Sequence, residues 1–566
     1  MNAHAFANAT DSVATTVPLI EVENLQIRFG AQSQPVVKGI SFVVRPGECV
    51  ALVGESGSGK SVTSRSLVGL AGPDAHVEAS RLRFDGDDLL AFDARAWQRV
   101  RGKRIGFILQ DALGALDPLR RIGEEIDEPL KCHTSLTRTQ RAARVLELLE
   151  AVHMPEPAMR MRQYPHQLSG GLRQRALIAS AIACGPQLLI ADEPTTALDA
   201  VVQAQILSML ESIRTAHTGM LIVTHDFGVV SQLADRVLVM QHGRIVEQGE
   251  TDAILRHPRH NYTRALINAV SAVHERRTVT TFVPTTFAGA PEVAATPTVT
   301  DSGGALIEVK GLNKSYTGAD ARRRTAVSEV SFSLFPGETL GIVGASGSGK
   351  TTAMRLVLGL EKADSGSILV RGKNWTTLSS RLRDAERKHV QIVFQDPLRS
   401  FDPRYTVERV IGEALDVAGL ARGPARRERI VELLRLVSLD ASLATRRPIE
   451  LSGGQRQRVA IARALAPGPD VLICDEPVSA LDVVIQAQIL ELLADLKRRL
   501  GLSCLFISHD LGVIRTVSDR VVVMRDGEIV ETGPVDDVFD HPQHAYTRAL
   551  FDAIPRITTD RSTAHV

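Results

Sequence analysis

Cysteine is scarce in this chain. Cys49, Cys132, Cys184, Cys474 and Cys504 are the only five in 566 residues, and they lie far apart. No CxxC pair exists, and an odd, scattered set makes neither a disulfide framework nor a metal knuckle. Aromatic residues amount to 4%, too few for a platform that stacks the bases of single strands. Neither charge dominates: 66 Lys and Arg face 65 Asp and Glu, for a net charge of +1. A general nucleic-acid binder would show a basic excess. Long hydrophobic runs are missing too. The nearest to one, Ala176 to Ala191, is broken by Gly185-Pro186 and falls short of the roughly 18 residues needed to span a bilayer. The first basic residue is Arg28, so no positively charged secretory leader is expected. With 44% hydrophobic and 23% charged residues, the composition is that of a soluble, multidomain protein of a reducing compartment.

The chain repeats itself. LIEVENLQIRFG (Leu19–Gly30) recurs as LIEVKGLNKSYTG (Leu306–Gly318), VGESGSGKS as VGASGSGKT, LSGGLRQR as LSGGQRQR, and DEPTTALD as DEPVSALD. Near the ends, HPRHNYTRAL recurs as HPQHAYTRAL. The offset is 290 residues from Gly54 to Gly344 and 284 from His257 to His541. A near-constant offset with one motif order means two copies of one domain, far beyond the period of a solenoid. The expected domains are 17–270 and 305–555. Residues 1–16 are expected to be disordered and 556–566 to form a tail. Residues 271–304 are rich in Thr, Pro and Ala and read as a flexible linker, whose coil span is on the order of 30 Å.

Within each copy, short apolar runs alternate with helical stretches. CVALV, LLIA and MLIVT in the first copy match TLGIV, VLIC and CLFIS in the second. Continuous apolar runs with intervening helices predict an α/β fold with a buried, mostly parallel sheet. The charged, Leu/Ala-rich segments 111–167 and 396–450 predict a helical insertion. The basic runs Arg322–Arg324 and Arg426-Arg427 read as solvated faces.

Two segments match GxxxxGK[ST]: Gly54-Glu55-Ser56-Gly57-Ser58-Gly59-Lys60-Ser61 and Gly344-Ala345-Ser346-Gly347-Ser348-Gly349-Lys350-Thr351. Each follows an apolar strand and opens a helix, continued by Val62 and Thr352, which is the context this phosphate loop requires. Glycines let backbone N–H groups curl around phosphate oxygens without a Cβ clash. Lys60 and Lys350 are expected at the β/γ-phosphates, and Ser61 and Thr351 on Mg²⁺. The apolar runs ending in Asp192-Glu193 and Asp475-Glu476 supply a carboxylate for the Mg²⁺ shell, then one that polarises the attacking water. His225 and His509 close further apolar runs and are expected at the γ-phosphate, fixing water and carboxylate. Ser169-Gly170-Gly171 and Ser452-Gly453-Gly454 open helices, an arrangement that holds an anion. Each copy already has a phosphate loop, so this second anion site is expected to serve the other copy's nucleotide.

The order of phosphate loop, glutamine after a strand, LSGG, Asp-Glu, ALD (Ala197–Asp199, Ala480–Asp482) and His resembles the ATP-binding cassette (ABC) ATPase family, over about 500 of the 566 residues. The resemblance implies two tandem P-loop NTPase domains. Each has a mainly parallel RecA-like sheet core, an antiparallel β subdomain and a helical subdomain. It also implies a head-to-tail pair of cassettes with two ATP molecules between them. Gln110 and Gln395 match the glutamines that link the metal site to the helical subdomain. Phe29 and Tyr316 match the adenine-stacking aromatic, the alternative being a core aromatic near a strand end. One site is then Lys60, Ser61, Gln110, Asp192, Glu193 and His225, completed by Ser452 and Gly454. The other is Lys350, Thr351, Gln395, Asp475, Glu476 and His509, completed by Ser169 and Gly171. Both keep the glutamate and histidine, so two hydrolytic sites are expected. Leu172 stands where Gln is commoner, and Leu109-Gln110-Asp111-Ala112 lacks the Phe and Pro of Phe394-Gln395-Asp396-Pro397.

The terminal motifs resemble the end of oligopeptide/dipeptide/nickel-class importer ATPases. EPTTALD…VQAQI resembles one of that class's two ATPase subunits and EPVSALD…IQAQI the other. The resemblance implies ATP and Mg²⁺ as ligands, two transmembrane permease subunits, and a periplasmic or lipid-anchored substrate-binding protein. It places the chain peripherally on the cytoplasmic face of a bacterial inner membrane, held there only through the permeases. Peptide, glutathione, nickel complex and opine all remain open as substrate. No iron–sulfur cluster is expected, since no cysteine follows either terminal motif closely. The alternative is a soluble twin cassette acting on ribosomes or DNA. The uncharged linker and the missing cysteine clusters speak against it.

Overall fold

The computed structural model describes residues 17–30, 34–196, 198–274, 304–317, 323–419, 423–479 and 481–553. The expected disordered start, most of the expected linker, the tail, and Ala197, Ala480 and Arg322 lie outside the described residues. The chain divides into two compact units, one built mainly of residues before 264 and the other mainly of residues from 264 onward.

Runs without polar alternation must be covered on both faces. In the first unit Cys49–Val53, Leu188–Asp192 and Gly219–Thr224 are such runs, and every residue in them is buried. They form the middle of a six-stranded sheet in the order Arg244–Glu250, Arg236–Gln241, Cys49–Val53, Gly219–Thr224, Leu188–Asp192, Ile105–Ile108. Only the hairpin strand Arg244–Glu250 is antiparallel. The second unit repeats this order with Glu528–Pro534, Arg520–Arg525, Thr339–Val343, Ser503–Ile507, Val471–Asp475 and Val390–Val393. Because the central strands are adjacent and parallel, their carboxyl ends share one edge, where open α/β sheets bind ligands.

An antiparallel sheet packs beside each core. In the first unit Ile20–Phe29 pairs with Val37–Val44, Ala75–Glu78 and Arg81–Phe84. Its Ile20, Val22, Leu25 and Ile27 join Val50, Leu52 and Leu221 in one buried cluster. In the second unit Ile307–Thr317 pairs with Arg323–Leu334 and Ser365–Val370, and Ile307, Val309 and Leu312 cluster with Leu340, Ile342 and Leu505. The helical insertions are present. Ile122–His133 and Arg138–Ala151 pack on the helix Gly170–Ile182; Val407–Val417 and Pro424–Leu436 pack on Gly453–Leu465. Ile122, Ile126 and Leu130, one turn apart, supply the buried stripe of the first of these.

Two local readings need correction. The helix Asn261–His274 runs four residues into the segment expected to be linker. Arg426 is not on a solvated face: its guanidinium lies against the helix Val407–Val417 and bonds Asp416 and the Gly412 carbonyl. Among the described residues no helix is long and apolar enough to cross a membrane.

Candidate active site

The first phosphate loop leaves the buried strand Cys49–Val53 at Gly54, whose φ is 151°. A Cβ there would meet the Met240 carbonyl oxygen at 2.2 Å, so only glycine fits. At Gly57 (φ 80°) a Cβ would meet nothing within 4 Å; that glycine serves the backbone turn. The buried Lys60 Nζ donates to the carbonyls of Gly54 at 2.7 Å and Glu55 at 2.8 Å, which curls the loop around it. Lys350 does the same with Gly344 at 2.7 Å and Ala345 at 2.8 Å, and donates to Ser348 Oγ at 3.4 Å. Burial pushes the Lys350 ammonium down from its ordinary pKa, against the pull of the nearby Glu476 carboxylate.

Asp192 ends its strand with no exposed surface. Its Oδ1 accepts the Ser61 hydroxyl at 3.0 Å. Its Oδ2 makes no hydrogen bond, with Arg65 Nε 3.9 Å away. Burial raises the pKa of Asp192, opposed by the Ser61 hydroxyl. Asp475 is pushed up to about 6, first by burial and then by the charge of Glu476. A hydroxyl beside a buried, under-bonded carboxylate is an oxygen donor pair that suits a hard divalent cation. Among the described residues no three His, Cys, Asp or Glu converge as a metal cage. An ion here would take its remaining ligands from phosphate and water, as Mg²⁺ does. The Ser58 hydroxyl is likewise buried without a hydrogen-bond partner.

Glu193 follows with φ 50°, a left-handed turn rare for glutamate, and Glu476 repeats it at 48°. The turn is held by the Glu193 N–H donating to the Val223 carbonyl, and Glu476 N–H to that of Ile507. It aims both carboxylates at the neighbouring strand's histidine. Glu193 Oε1 lies 3.4 Å from His225 Nδ1, and Glu476 Oε1 3.1 Å from His509 Nδ1. The other oxygen accepts from Gln110 Nε2 at 2.8 Å in one unit and Gln395 Nε2 at 2.7 Å in the other. Burial alone would raise the pKa of both glutamates, but the hydrogen bond and charge of the facing histidine outweigh it and hold them low. Both histidines are raised: their burial is overcome by the bond to, and charge of, the glutamate. The arrangement is an ionised carboxylate held on three sides at the edge of a phosphate loop.

The fold therefore brings together Lys60, Ser61, Gln110, Asp192, Glu193 and His225, and their counterparts Lys350, Gln395, Asp475, Glu476 and His509. Phe29 and Tyr316 sit at strand ends, 37% and 40% exposed, which removes the core-aromatic alternative. Tyr316 donates to the Glu361 carboxylate, and Lys314 Nζ lies 5.5 Å from its ring centre. Ser169 and Ser452 are exposed at the starts of their helices. Among the described residues neither hydrogen-bonds the phosphate loop of its own unit. Ser452 Oγ accepts the Gln455 N–H at 3.3 Å while Gln455 Oε1 accepts the Ser452 N–H at 3.0 Å. Leu172 has no side-chain acceptor, and Ser169 makes no such cap. Thr196 escapes a reading of the motif: its hydroxyl donates to Glu193 Oε2 at 2.9 Å. Ser479, its counterpart, donates to the Glu476 carbonyl at 3.1 Å. The only sequence signal was a hydroxyl three residues after the glutamate in both DEPTT and DEPVS.

Comparison with known proteins identifies the family. A family profile described as "ABC transporter" matches residues 37–196 and 327–479. A second, "Oligopeptide/dipeptide transporter, C-terminal region", matches 246–289 and 530–565. Among curated relatives, "Glutathione import ATP-binding protein GsiA" of Shigella dysenteriae is 43% identical over 559 residues, 95% of this chain and 89% of that one. The protein of the same name from Escherichia coli K12 is 42% identical with the same coverage. That of Salmonella typhimurium LT2 is 41% identical over 557 residues, again 95% and 89%. With its two cassettes and both terminal motifs accounted for, the chain belongs to the ABC transporter family, as an ATPase of its oligopeptide/dipeptide branch.

Proposed function

We propose that the chain hydrolyses ATP at both phosphate loops to drive uptake of a short peptide through a separate membrane permease. The observation that carries it is the Glu–His–Gln constellation at the loop edge, present in both units with the same contacts. Phosphoryl transfer to water needs positioning and charge stabilisation more than covalent chemistry. Lys60 and Lys350, held by loop carbonyls, present a cation to the phosphates. Glu193 and Glu476 stay ionised and orient the attacking water. His225 and His509 fix the glutamates, and Gln110 and Gln395 tie them to the segment leading into the helical insertion. Bound Mg²⁺, held by Ser61 with Asp192 and by Thr351 with Asp475, would neutralise phosphate charge.

The peptide substrate rests on the terminal regions and on relatives named for glutathione import; glutathione is the first to test. Two permease subunits and a periplasmic or lipid-anchored binding protein would complete the system, with this chain peripheral on the cytoplasmic side. Membrane vesicles containing the chain, its permeases and the binding protein should accumulate labelled glutathione or a dipeptide only with ATP. Copurification of the tagged chain with ribosomes and no polytopic membrane protein would overturn the transport reading.

A further inference from the structure

The repeated HPxHxYTRAL motif is not used by the phosphate chemistry described so far. In each unit it leads into a helix, Asn261–His274 or Ala545–Asp552. One carboxylate holds the approach. Glu247 accepts the N–H groups of Arg259 at 2.7 Å and His260 at 3.0 Å. Glu531 accepts those of Gln543 at 2.8 Å and His544 at 3.1 Å. The histidine ring then caps the tyrosine: Tyr262 N–H donates to His260 Nδ1 at 3.2 Å, and Tyr546 N–H to His544 Nδ1 at 3.1 Å. These bonds fix the backbone from which the tyrosine side chain projects.

Each tyrosine ends on the phosphate loop. The Tyr262 hydroxyl accepts the Glu55 N–H at 3.0 Å, and the Tyr546 hydroxyl accepts the Ala345 N–H at 2.9 Å. Glu55 and Ala345 are the second residues of their loops, and their carbonyls hold Lys60 and Lys350, each at 2.8 Å. One loop residue is thus gripped at its N–H by the tyrosine and at its carbonyl by the lysine. The contact recurs although the loop residue is Glu in one unit and Ala in the other. The tyrosine therefore reads the backbone and not the side chain.

We propose that Tyr262 and Tyr546 are positioning residues of the nucleotide sites. They fix the first turn of each phosphate loop, so that the terminal motif is part of the ATP site as well as a boundary of the fold. The inference rests on the reading that the phosphate loops bind ATP. A glycine-rich loop has many conformations to lose on binding, and an anchor at its first turn removes part of that cost before the ligand arrives.

Tyr262→Phe, Tyr546→Phe and the double variant, made in the full chain, keep the ring and remove only the hydroxyl. Losing a bond to a part-buried N–H is expected to weaken ATP binding about 5- to 30-fold per site. The rise should fall mainly on KM for ATP, with kcat changed less than KM. Hydrogen–deuterium exchange at the Glu55 and Ala345 amides should accelerate in the nucleotide-free variants. Glu247→Ala should weaken binding by the same route, and Tyr262→Phe should add little in that background. Unchanged ATP affinity and unchanged exchange, with only the thermal midpoint lowered, would reduce the tyrosines to packing and overturn the proposal. Should a variant not fold, the unaltered chain still decides: fast exchange at both amides without nucleotide refutes the anchor. ATP binding that survives Lys60→Ala with Lys350→Ala would instead sink the assignment of the loops as ATP sites.

Discussion

Replacing Glu193 and Glu476 by glutamine isolates a single variable, the charge of the carboxylate. Glu193 Oε2 accepts from Gln110 at 2.8 Å and Thr196 at 2.9 Å, and Oε1 faces His225. A glutamine amide can keep this shape. Its oxygen replaces Oε2 toward the two donors, and its NH₂ replaces Oε1 toward a neutral His225 nitrogen. Lys60 and the loop carbonyls are untouched, so ATP affinity should stay within about threefold. The charge that orients and polarises water is lost, and such groups contribute roughly 10²- to 10⁴-fold, or about 3–5 kcal/mol of barrier. His225 loses the bond and charge that raise its pKa, so its titration should move down. The assay is steady-state phosphate release, paired with ATP binding on the same preparation. The double variant should lose at least about a hundredfold in kcat while still binding ATP. Each single variant should keep about half the wild-type rate if the two sites turn over independently. A double variant hydrolysing at more than about a tenth of the wild-type rate would refute the role assigned to these glutamates.

Gly54→Ala forces a Cβ to within 2.2 Å of the Met240 carbonyl at φ 151°, whereas Gly57→Ala at φ 80° meets no atom within 4 Å. Urea denaturation should show a loss of about 3 kcal/mol or more for the first and about 1 kcal/mol for the second. Leu172→Gln gives the first LSGG helix the acceptor that Gln455 supplies in the second, at 3.0 Å from the Ser452 N–H. It should stabilise the first unit by about 0.5–1 kcal/mol in the same experiment. Glu247 is held below its ordinary pKa near 4.5: burial acts to raise it, but the hydrogen bonds its carboxylate accepts, among them those from the N–H groups of Arg259 and His260, outweigh burial. Its contribution is complete above pH 4.5 and is lost as pH falls through the lowered value. Proteolysis or exchange of the segment around His257–Tyr262 should accelerate only on acidification below that point, and Glu247→Gln should remove the pH dependence.

Much of the site is legible in the sequence because its demands are local. A phosphate loop needs glycine where φ is positive and a lysine close behind, so eight consecutive residues carry its signature. The buried strands are legible because a run such as Cys49–Val53, apolar at every position, has both faces to cover. Repetition then identifies His225 with His509 and Glu193 with Glu476, each at the end of such a run. Leu172 shows in the sequence only as a departure from its counterpart Gln455; that Ser169 then lacks the cap that Ser452 has is seen in the structure.

Read along the chain, the residues already declare two copies of one nucleotide-binding design and the chemical types present in each. Which of those groups meet is settled by the packing of the fold. Ser61 bonds Asp192 across 131 residues, Gln110 bonds Glu193 across 83, and Tyr262 reaches Glu55 across 207. No local pattern encodes these pairs. They arise because the sheet sets Leu188–Asp192 beside Ile105–Ile108 and one strand from Cys49–Val53, with the hairpin of Arg236–Gln241 and Arg244–Glu250 on the far side of Cys49–Val53. Strand order is a property of the packed core, and a run of apolar residues states that it will be buried without stating beside what.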